Sequence, residues 1–75
     1  MKKIVLTGAA GRLGSYLREP LTKMADQLVS SDLADDIGKL YLGETYQRAD
    51  LAKYDDIHAL LEGADMVVHF GAIGD

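Results

Sequence analysis

The chain has 75 residues, of which 8 are Lys or Arg and 12 are Asp or Glu, so its net charge is −4. With 48% hydrophobic residues and no cysteine, it has the composition of a small globular domain without disulfides, a thiolate zinc site or a cysteine nucleophile. The missing cysteine fits a reducing cytoplasm. The acidic balance argues against a nucleic-acid partner, and the longest apolar runs, at residues 4–6 and 66–68, are too short to span a membrane.

The first part of the chain predicts a strand, a helix and a second strand. Residues 3–7 form an apolar run rich in β-branched side chains, which is typical of a buried strand. A glycine-rich turn follows, and apolar residues recur at helical spacing from Arg12 onward. Pro20 removes one helical hydrogen bond and clashes with the preceding turn, so we expect a kink or an early end there. Residues 27–31 predict the second strand, which Asp32 closes.

The second part predicts a loop, a short strand, a helix and a fourth strand. Residues 33–45 carry turn residues without a clean period, so we interpret them as a loop with one helical turn. Residues 46–49 predict the third strand. Asp50 then caps a helix over about residues 53–62, whose apolar side chains recur along one face. Residues 66–70 predict a fourth strand, which is apolar except for one histidine.

The alternation of strands and helices indicates one α/β domain with a parallel sheet and right-handed crossovers. Winding of the usual nucleotide-binding kind would make it the N-terminal half of a Rossmann-type, doubly wound parallel sheet, with about four strands in the order 3-2-1-4. Strands 1 and 4 would then lie side by side at the topological switch point. Ligands bind beyond the carboxyl ends of the strands at such a point.

The turn after the first strand carries Gly8, Gly11 and Gly14 in a G-x-x-G-x-x-G spacing. Gly8 allows a sharp turn, Gly11 allows the backbone to approach a pyrophosphate, and Gly14 allows the helix to pack closely on the sheet. The N–H groups near Arg12 and Leu13, at the helix start, are expected to face the phosphates, aided by the helix dipole. The alternative is an ordinary glycine-rich turn. No Gly-Lys-Ser/Thr follows, which excludes a triphosphate P-loop.

An acidic residue stands where a dinucleotide site needs one. Asp32 ends the second strand, 18 residues after Gly14. A carboxylate there accepts hydrogen bonds from the adenosine ribose and repels a 2′-phosphate, which predicts NAD rather than NADP. No arginine lies near Asp32 along the chain to reverse this preference. The alternative is a solvated loop acid, since Asp35 and Asp36 follow closely.

With these features in place, the chain resembles the start of the extended short-chain dehydrogenases/reductases, the NAD-dependent epimerase/dehydratase family. Within that family it most resembles the uronate dehydrogenase group. The shared motifs are the Thr-Gly-Ala-Ala-Gly-x-Leu-Gly opening, Arg-Glu in the first helix, Ser-Asp-Leu after strand 2, Asp-Leu-Ala before helix 2 and Val-His-x-Gly at strand 4. The glycine loop is specific for the superfamily, whereas the other identities are scattered.

The resemblance implies further cofactor contacts. Asp50 and Leu51 match a pair that holds the adenine, with the Asp50 carboxylate on the amino group and the Leu51 backbone on the ring. The alternative is that Asp50 only caps the following helix. Phe70, Gly71 and Ala72 match the loop after strand 4 that lines the pyrophosphate and ribose of NAD.

The resemblance also implies an activity, the NAD-dependent oxidation of a sugar acid at C1 to an aldarolactone by a cytoplasmic homo-oligomer. A nucleotide-sugar epimerase or dehydratase, another sugar reductase of the family, and a non-catalytic NAD-binding module are the alternatives. The family's catalytic Tyr-x-x-x-Lys pair is absent, because none of the four tyrosines is followed by lysine four residues later. We therefore expect residues 1–75 to be a truncated NAD-binding domain that lacks the substrate region and is inactive alone.

The histidines predict no further chemistry. His69 lies within the fourth strand, and we interpret it as a core histidine with its hydrogen bonds satisfied rather than as a base. His58 lies on the surface of the second helix. Neither belongs to a metal-ligand pattern, and we predict no metal site.

Overall fold

The computed structural model describes residues 2–70, which form one four-stranded sheet with two helices. The elements in chain order are β1 (Lys3–Thr7), α1 (Arg12–Met24), β2 (Gln27–Ser31), β3 (Glu44–Tyr46), α2 (Tyr54–Leu61) and β4 (Met66–His69). All strand pairs are parallel, and the order across the sheet is β3-β2-β1-β4. The predicted half of a doubly wound Rossmann-type sheet and its 3-2-1-4 order are therefore confirmed.

Both faces of the sheet carry apolar side chains, because successive residues of a strand point to opposite sides. The α1 face is formed by Ile4, Leu6, Ala9, Leu21 and Leu28, and the other face by Val5, Val29, Ala49 and Leu60. Ile4, Val5 and Leu6 of the central strand β1 are fully buried. This double burial explains why β1 reads as a continuous apolar run rather than an alternating one.

Helix α1 continues through Pro20 to Met24, so the expected early end is wrong. Pro20 and Tyr16, whose carbonyl would have accepted the missing hydrogen bond, both lie on the exposed side of the helix. That carbonyl can therefore bind water instead. Arg18 and Leu21 are buried on the opposite side, and their contacts hold the second half of the helix against the sheet.

Strand β3 begins two residues and ends three residues earlier than predicted, and residues 33–43 contain no helical turn. The strand begins at Glu44, a buried charged residue that pattern reading assigns to a loop. The predicted segment 46–49 still pairs with the end of β2, because Gln47 N donates to Ser30 O (2.9 Å) and Ala49 N to Asp32 O (3.1 Å). The error therefore lies in the bounds of the strand, which the prediction placed too late in the chain.

Strand β4 lies at an edge of the sheet and is largely exposed, which makes the interpretation of His69 as a core residue wrong. Met66 is 39% exposed and Val67 is 45% exposed. In the part of the chain that the structure describes, β4 has only β1 as a neighbouring strand. Helix α2 agrees with its prediction to within one residue at each end, and Leu60 on its inner face is buried.

The described helices are short. Within residues 2–70, neither α1 nor α2 is long and apolar enough to cross a membrane.

Candidate functional site

The glycine loop is a tight turn that brings the start of α1 against the end of β1. Gly8 has a positive φ of 73°, and its carbonyl accepts a hydrogen bond from Gly11 N (3.0 Å). A Cβ atom on Gly14 would lie 2.0 Å from Gly8 O, so the helix start packs directly on the turn. Ala9 N donates to Ser31 O (3.0 Å) and so ties the loop to β2. The predicted packing role of Gly14 agrees with this geometry.

The first turn of α1 is open to a ligand. Gly11 is the N-cap with an extended backbone (φ −76°, ψ 172°), and no side chain caps this end of the helix. Its first turn also carries no acidic residue. Arg12 and Leu13, the first two helical residues, are exposed. Uncapped N–H groups at the positive end of a helix are suited to bind an anion.

Asp32 lies directly beside this loop. Its Oδ2 accepts a hydrogen bond from Ala10 N (2.9 Å), and its Oδ1 accepts one from Leu33 N (2.7 Å). Each carboxylate oxygen has two acceptor positions, so each can accept one more hydrogen bond. The structure thus brings together the glycine loop and the acidic residue that the sequence placed on separate elements.

An arginine lies closer to this region than its place in the sequence indicates. Arg48 Nε donates to Leu33 O (2.8 Å), and it is 3.7 Å from Asp35 Oδ1. No arginine lies near Asp32 along the chain, but in the folded structure Arg48 contacts Leu33, the residue that follows Asp32. Its Nε–H is directed at oxygen atoms of the protein itself.

Asp50 stabilises the turn before α2 and is not the cap of that helix, which corrects one of the two interpretations of this residue. The N-cap is Lys53, without a side-chain hydrogen bond. Asp50 Oδ1 instead accepts from Ala52 N (2.9 Å), and Asp50 O accepts from Lys53 N (2.9 Å). Its own N–H donates to Asp56 Oδ2 (2.9 Å). These bonds fix the backbone of the turn that carries the proposed adenine contact.

Leu51 is half-buried and packs against the core on the α2 face of the sheet. It also lines an apolar hollow of about 350 Å³ between α2 and the carboxyl ends of β1 and β4. The other residues around this hollow are Thr7, Ile57, Leu60, Leu61, Val67 and His69. Leu51 therefore lies near the carboxyl ends of β1 and β4.

The ends of β1 and β4 are joined through Thr7. Phe70 N donates to Thr7 O (3.2 Å) and approaches Thr7 Oγ1 (3.1 Å), while Thr7 Oγ1 lies 2.6 Å from His69 Nδ1. Phe70 is 44% exposed at the switch point between these strands. The predicted contacts of Gly71 and Ala72 fall outside the described residues.

A buried ion pair between α1 and β3 was missed in the sequence. Arg18 Nε donates to Glu44 Oε2 (2.7 Å) and Arg18 Nη2 to Glu44 Oε1 (2.9 Å), in a bidentate arrangement. Ser30 Oγ and Tyr41 N also donate to this carboxylate, at 2.5 and 3.0 Å. The guanidinium further donates to Lys39 O and lies 5.2 Å from the centroid of the Tyr41 ring. The network joins α1 to β2, to β3 and to the loop between them.

Two opposing effects determine the charge state of Glu44. Burial would raise the pKa of its carboxyl, but hydrogen bonds from Arg18, Ser30 and Tyr41 outweigh burial and hold the pKa below its ordinary value. The sequence does carry a signal for the pair. Arg18 occupies a position on the helical stripe of Gly14 and Leu21, where an apolar residue is expected.

Within residues 2–70, no three His, Asp or Glu side chains are arranged to hold a metal ion. The polar groups at the carboxyl ends of β1, β2 and β4 are instead hydrogen-bond donors and acceptors. Their arrangement suits an organic ligand with an anionic part at the loop and hydroxyl groups near Asp32.

The family model "NAD dependent epimerase/dehydratase family" matches residues 4–75. The chain therefore belongs to the NAD-dependent epimerase/dehydratase family.

Particular members of the family resemble it over most of its length. A uronate dehydrogenase of Pseudomonas syringae pv. tomato is 42% identical over 71 residues, and one of Agrobacterium fabrum is 40% identical over 73. These alignments cover 95% and 97% of this chain but only 26% and 27% of the relatives. The chain thus spans about a quarter of the length of the curated relatives it matches.

Solved structures of such enzymes share the fold. A uronate dehydrogenase of Agrobacterium tumefaciens, crystallised as a tyrosine-to-alanine mutant complexed with NAD, gives a TM-score of 0.84 at 39% identity over 97% of this chain and 27% of that one. The glucuronic acid dehydrogenase of Chromohalobacter salexigens gives 0.88 at 31% identity, over 99% and 27% respectively. The likeness in sequence and in backbone therefore covers about a quarter of each relative.

Proposed function

We propose that this chain binds NAD at the carboxyl ends of β1, β2 and β4. The observation that carries the proposal is the position of the Asp32 carboxylate, hydrogen-bonded to Ala10 N of the glycine loop. Phosphates at the open N-terminus of α1 and a ribose at Asp32 would then be neighbouring groups of one ligand. The relative crystallised with NAD supports this choice of cofactor.

The proposed roles of residues up to Phe70 are supported by their positions in the fold, and those of Gly71 and Ala72 by the family resemblance alone. The glycine loop and the first helical N–H groups bind the pyrophosphate, Asp32 accepts the ribose hydroxyls, and Asp50 with Leu51 binds the adenine. Phe70 and its two successors line the pyrophosphate and ribose from the side of β4. The residues concerned are Gly8, Gly11, Arg12, Leu13, Gly14, Asp32, Asp50, Leu51, Phe70, Gly71 and Ala72. NAD, when bound, accepts or supplies a hydride, and this segment holds and orients it.

The cofactor proposal is tested by titrating the purified protein with NAD and with NADP. NAD is expected to bind at least tenfold more tightly, because the Asp32 carboxylate repels a 2′-phosphate. The Asp32→Ala variant is expected to weaken NAD binding about 10- to 100-fold, the range for lost hydrogen bonds to a charged acceptor. Asp55→Ala, which removes the same charge from the exposed start of α2, is the control and should bind as the unchanged protein does. Unaltered NAD binding by Asp32→Ala would overturn the proposal.

For the whole protein we propose an NAD-dependent dehydrogenase that oxidises a sugar acid at C1 to an aldarolactone. The relatives named as uronate dehydrogenases support this reaction. A cytoplasmic location and a homo-oligomeric state belong to the same proposal, and the lack of cysteine in the 75 residues agrees with the first. The partial Rossmann domain of residues 1–75 would supply cofactor binding, while the catalytic Tyr-x-x-x-Lys pair would lie elsewhere in such a protein.

The reaction is tested with the longest reading frame that contains these 75 residues. Formation of NADH from NAD and a uronic acid is expected, with no turnover by the 75-residue chain itself. Conversion of a nucleotide sugar without net NADH would indicate an epimerase or dehydratase instead. NAD binding without turnover of either substrate class would indicate a non-catalytic NAD-binding module.

A further inference from the structure

Two side chains, one at the end of β3 and one shortly after it, hold three consecutive backbone carbonyls from Asp32 onward. The Tyr46 hydroxyl lies 3.0 Å from Asp32 O and 2.5 Å from Ala34 O, and Arg48 Nε donates to Leu33 O (2.8 Å). We call residues 32–34 the ribose segment. The acceptors are all main-chain oxygens, so these bonds fix the path of the backbone and leave the Asp32 carboxylate available.

The ribose segment has little apolar packing to fix it otherwise. Leu33 is 54% exposed and Ala34 is exposed as well. Ala49 N adds one backbone hydrogen bond to Asp32 O (3.1 Å). A segment with few buried contacts is free to change conformation unless hydrogen bonds restrain it. The Tyr46 hydroxyl, which reaches the carbonyls at both ends of the segment, is the restraint with the widest span.

Asp32 is held by hydrogen bonds from two opposite sides. Tyr46 and Ala49 hold its carbonyl from the side of β3, while its carboxylate bonds Ala10 N on the side of the glycine loop. The main chain between these contacts therefore cannot rotate without breaking one of them. A carboxylate held in this way meets two ribose hydroxyls without first losing conformational freedom.

The state of the Tyr46 phenol agrees with a donor role. Burial, together with the nearby negative charge of Asp32, raises the pKa of Tyr46 above its ordinary value of 10. The hydroxyl therefore keeps its proton throughout the neutral range, and this single proton can be shared between Asp32 O and Ala34 O.

We propose that Tyr46 is a positioning residue for ribose recognition, whose hydroxyl fixes residues 32–34 so that the Asp32 carboxylate faces the adenosine ribose of the dinucleotide. This inference rests on the proposed function, since it assumes that the ligand is NAD. Tyr46 itself does not contact the ligand. Removal of the Tyr46 hydroxyl should therefore weaken the contact between Asp32 and the ribose, and it should leave the other contacts with the ligand unchanged.

The test compares NAD with an NAD analogue that lacks the adenosine ribose 2′-hydroxyl. The unchanged protein is expected to prefer NAD about tenfold, as for one hydrogen bond to a charged acceptor. Tyr46→Phe removes only the hydroxyl, and it is expected to reduce this preference to about two- or threefold. Tyr54→Phe, at an exposed tyrosine of α2, is the matched control and should keep the tenfold preference. A merely structural role would weaken the two ligands equally.

A double variant separates this inference from the proposed function. In the Asp32→Ala background, Tyr46→Phe should cause no further loss of NAD affinity, because the two residues act through one contact. If Asp32→Ala abolishes the preference for NAD over the 2′-deoxy analogue while Tyr46→Phe retains it, the positioning role of Tyr46 is wrong and the NAD site stands. If Asp32→Ala leaves NAD binding unchanged, the proposed function itself is wrong. Should Tyr46→Phe not fold, Arg48→Met removes the donor to Leu33 O. Its ratio of NAD affinity to 2′-deoxy analogue affinity is then compared with that of the unchanged protein.

Discussion

Replacing Glu44 by alanine is expected to lower the free energy of unfolding by about 3–5 kcal/mol, the range for breaking a buried ion pair from one side. The substitution leaves the Arg18 guanidinium buried without its carboxylate, and it removes the acceptor of Ser30 Oγ. Urea unfolding followed by circular dichroism measures the change. Glu19→Ala, at an exposed glutamate on the same helix as Arg18, is the control and should change stability by less than about 0.5 kcal/mol.

The double substitution Arg18→Met with Glu44→Leu distinguishes the loss of a charge partner from the loss of packing. Two apolar side chains of similar volume leave no unpaired charge, so most of the stability should return. An equal loss in the single and double variants would contradict the assignment of the effect to the ion pair.

The same pair predicts how stability depends on pH. Because the pKa of Glu44 is lowered in the folded protein, its contribution is fully present above the ordinary value of 4.5. That contribution is lost as the pH falls through the lower folded value. The difference in stability between the unchanged protein and Glu44→Gln should therefore shrink on acidification below about pH 4.5. A difference that stays constant down to strongly acidic pH would show that the carboxylate charge is not responsible.

Gly14→Ala is the second substitution with a large expected effect, a loss of about 3 kcal/mol or more. Its Cβ would lie 2.0 Å from Gly8 O and 2.8 Å from Gly8 C, and neither backbone atom can rotate away. Relief of the clash requires α1 to move off the turn. The midpoint of thermal or urea unfolding reports the change.

Gly11→Ala is the matched control, because it adds the same methyl group three residues earlier. Its Cβ would lie 3.3 Å from Gly8 O, and the φ of −76° at this position suits an alanine. The fold should survive with a small loss of stability, while NAD binding should weaken because the methyl group faces the proposed pyrophosphate. Equal stability of Gly14→Ala and the unchanged protein would refute the close packing of helix on turn.

The parts of the fold that the sequence predicts well are those that local features determine. β1 and β2 are short strand-forming runs with definite ends, and the glycine spacing that begins at Gly8 is typical of a turn from a strand into a helix. The strand order then follows from the rules of parallel sheets, which need no knowledge of particular side chains. Asp32 was correctly predicted at the end of the second strand, and the parallel pairing of β1 with β2 brings that end beside the glycine loop.

The features that were missed depend on pairs of residues far apart in the chain. Glu44 looks like a loop residue until Arg18, 26 positions away, supplies its charge partner, and the start of β3 was misplaced for that reason. Pro20 was expected to kink α1 or to end it early because its cost is local, whereas the buried contacts that hold the helix are tertiary. Arg48 reaches the ribose segment only because residues 46–49 pair with the end of β2.

The central position of β1 sets an order in which the sheet can assemble. Its pairing with β2 joins residues 24 positions apart, as Lys3 with Gln27, whereas its pairing with β4 joins residues 62 apart, as Ile4 with Met66. Closing the 62-residue loop costs about 0.8 kcal/mol more in chain entropy than closing the 24-residue loop. We therefore expect β4 to pair with β1 after β1 and β2 have paired. The contact between Thr7 and His69 is then among the last to form, and the proposed ligand site becomes complete only in the final step of folding.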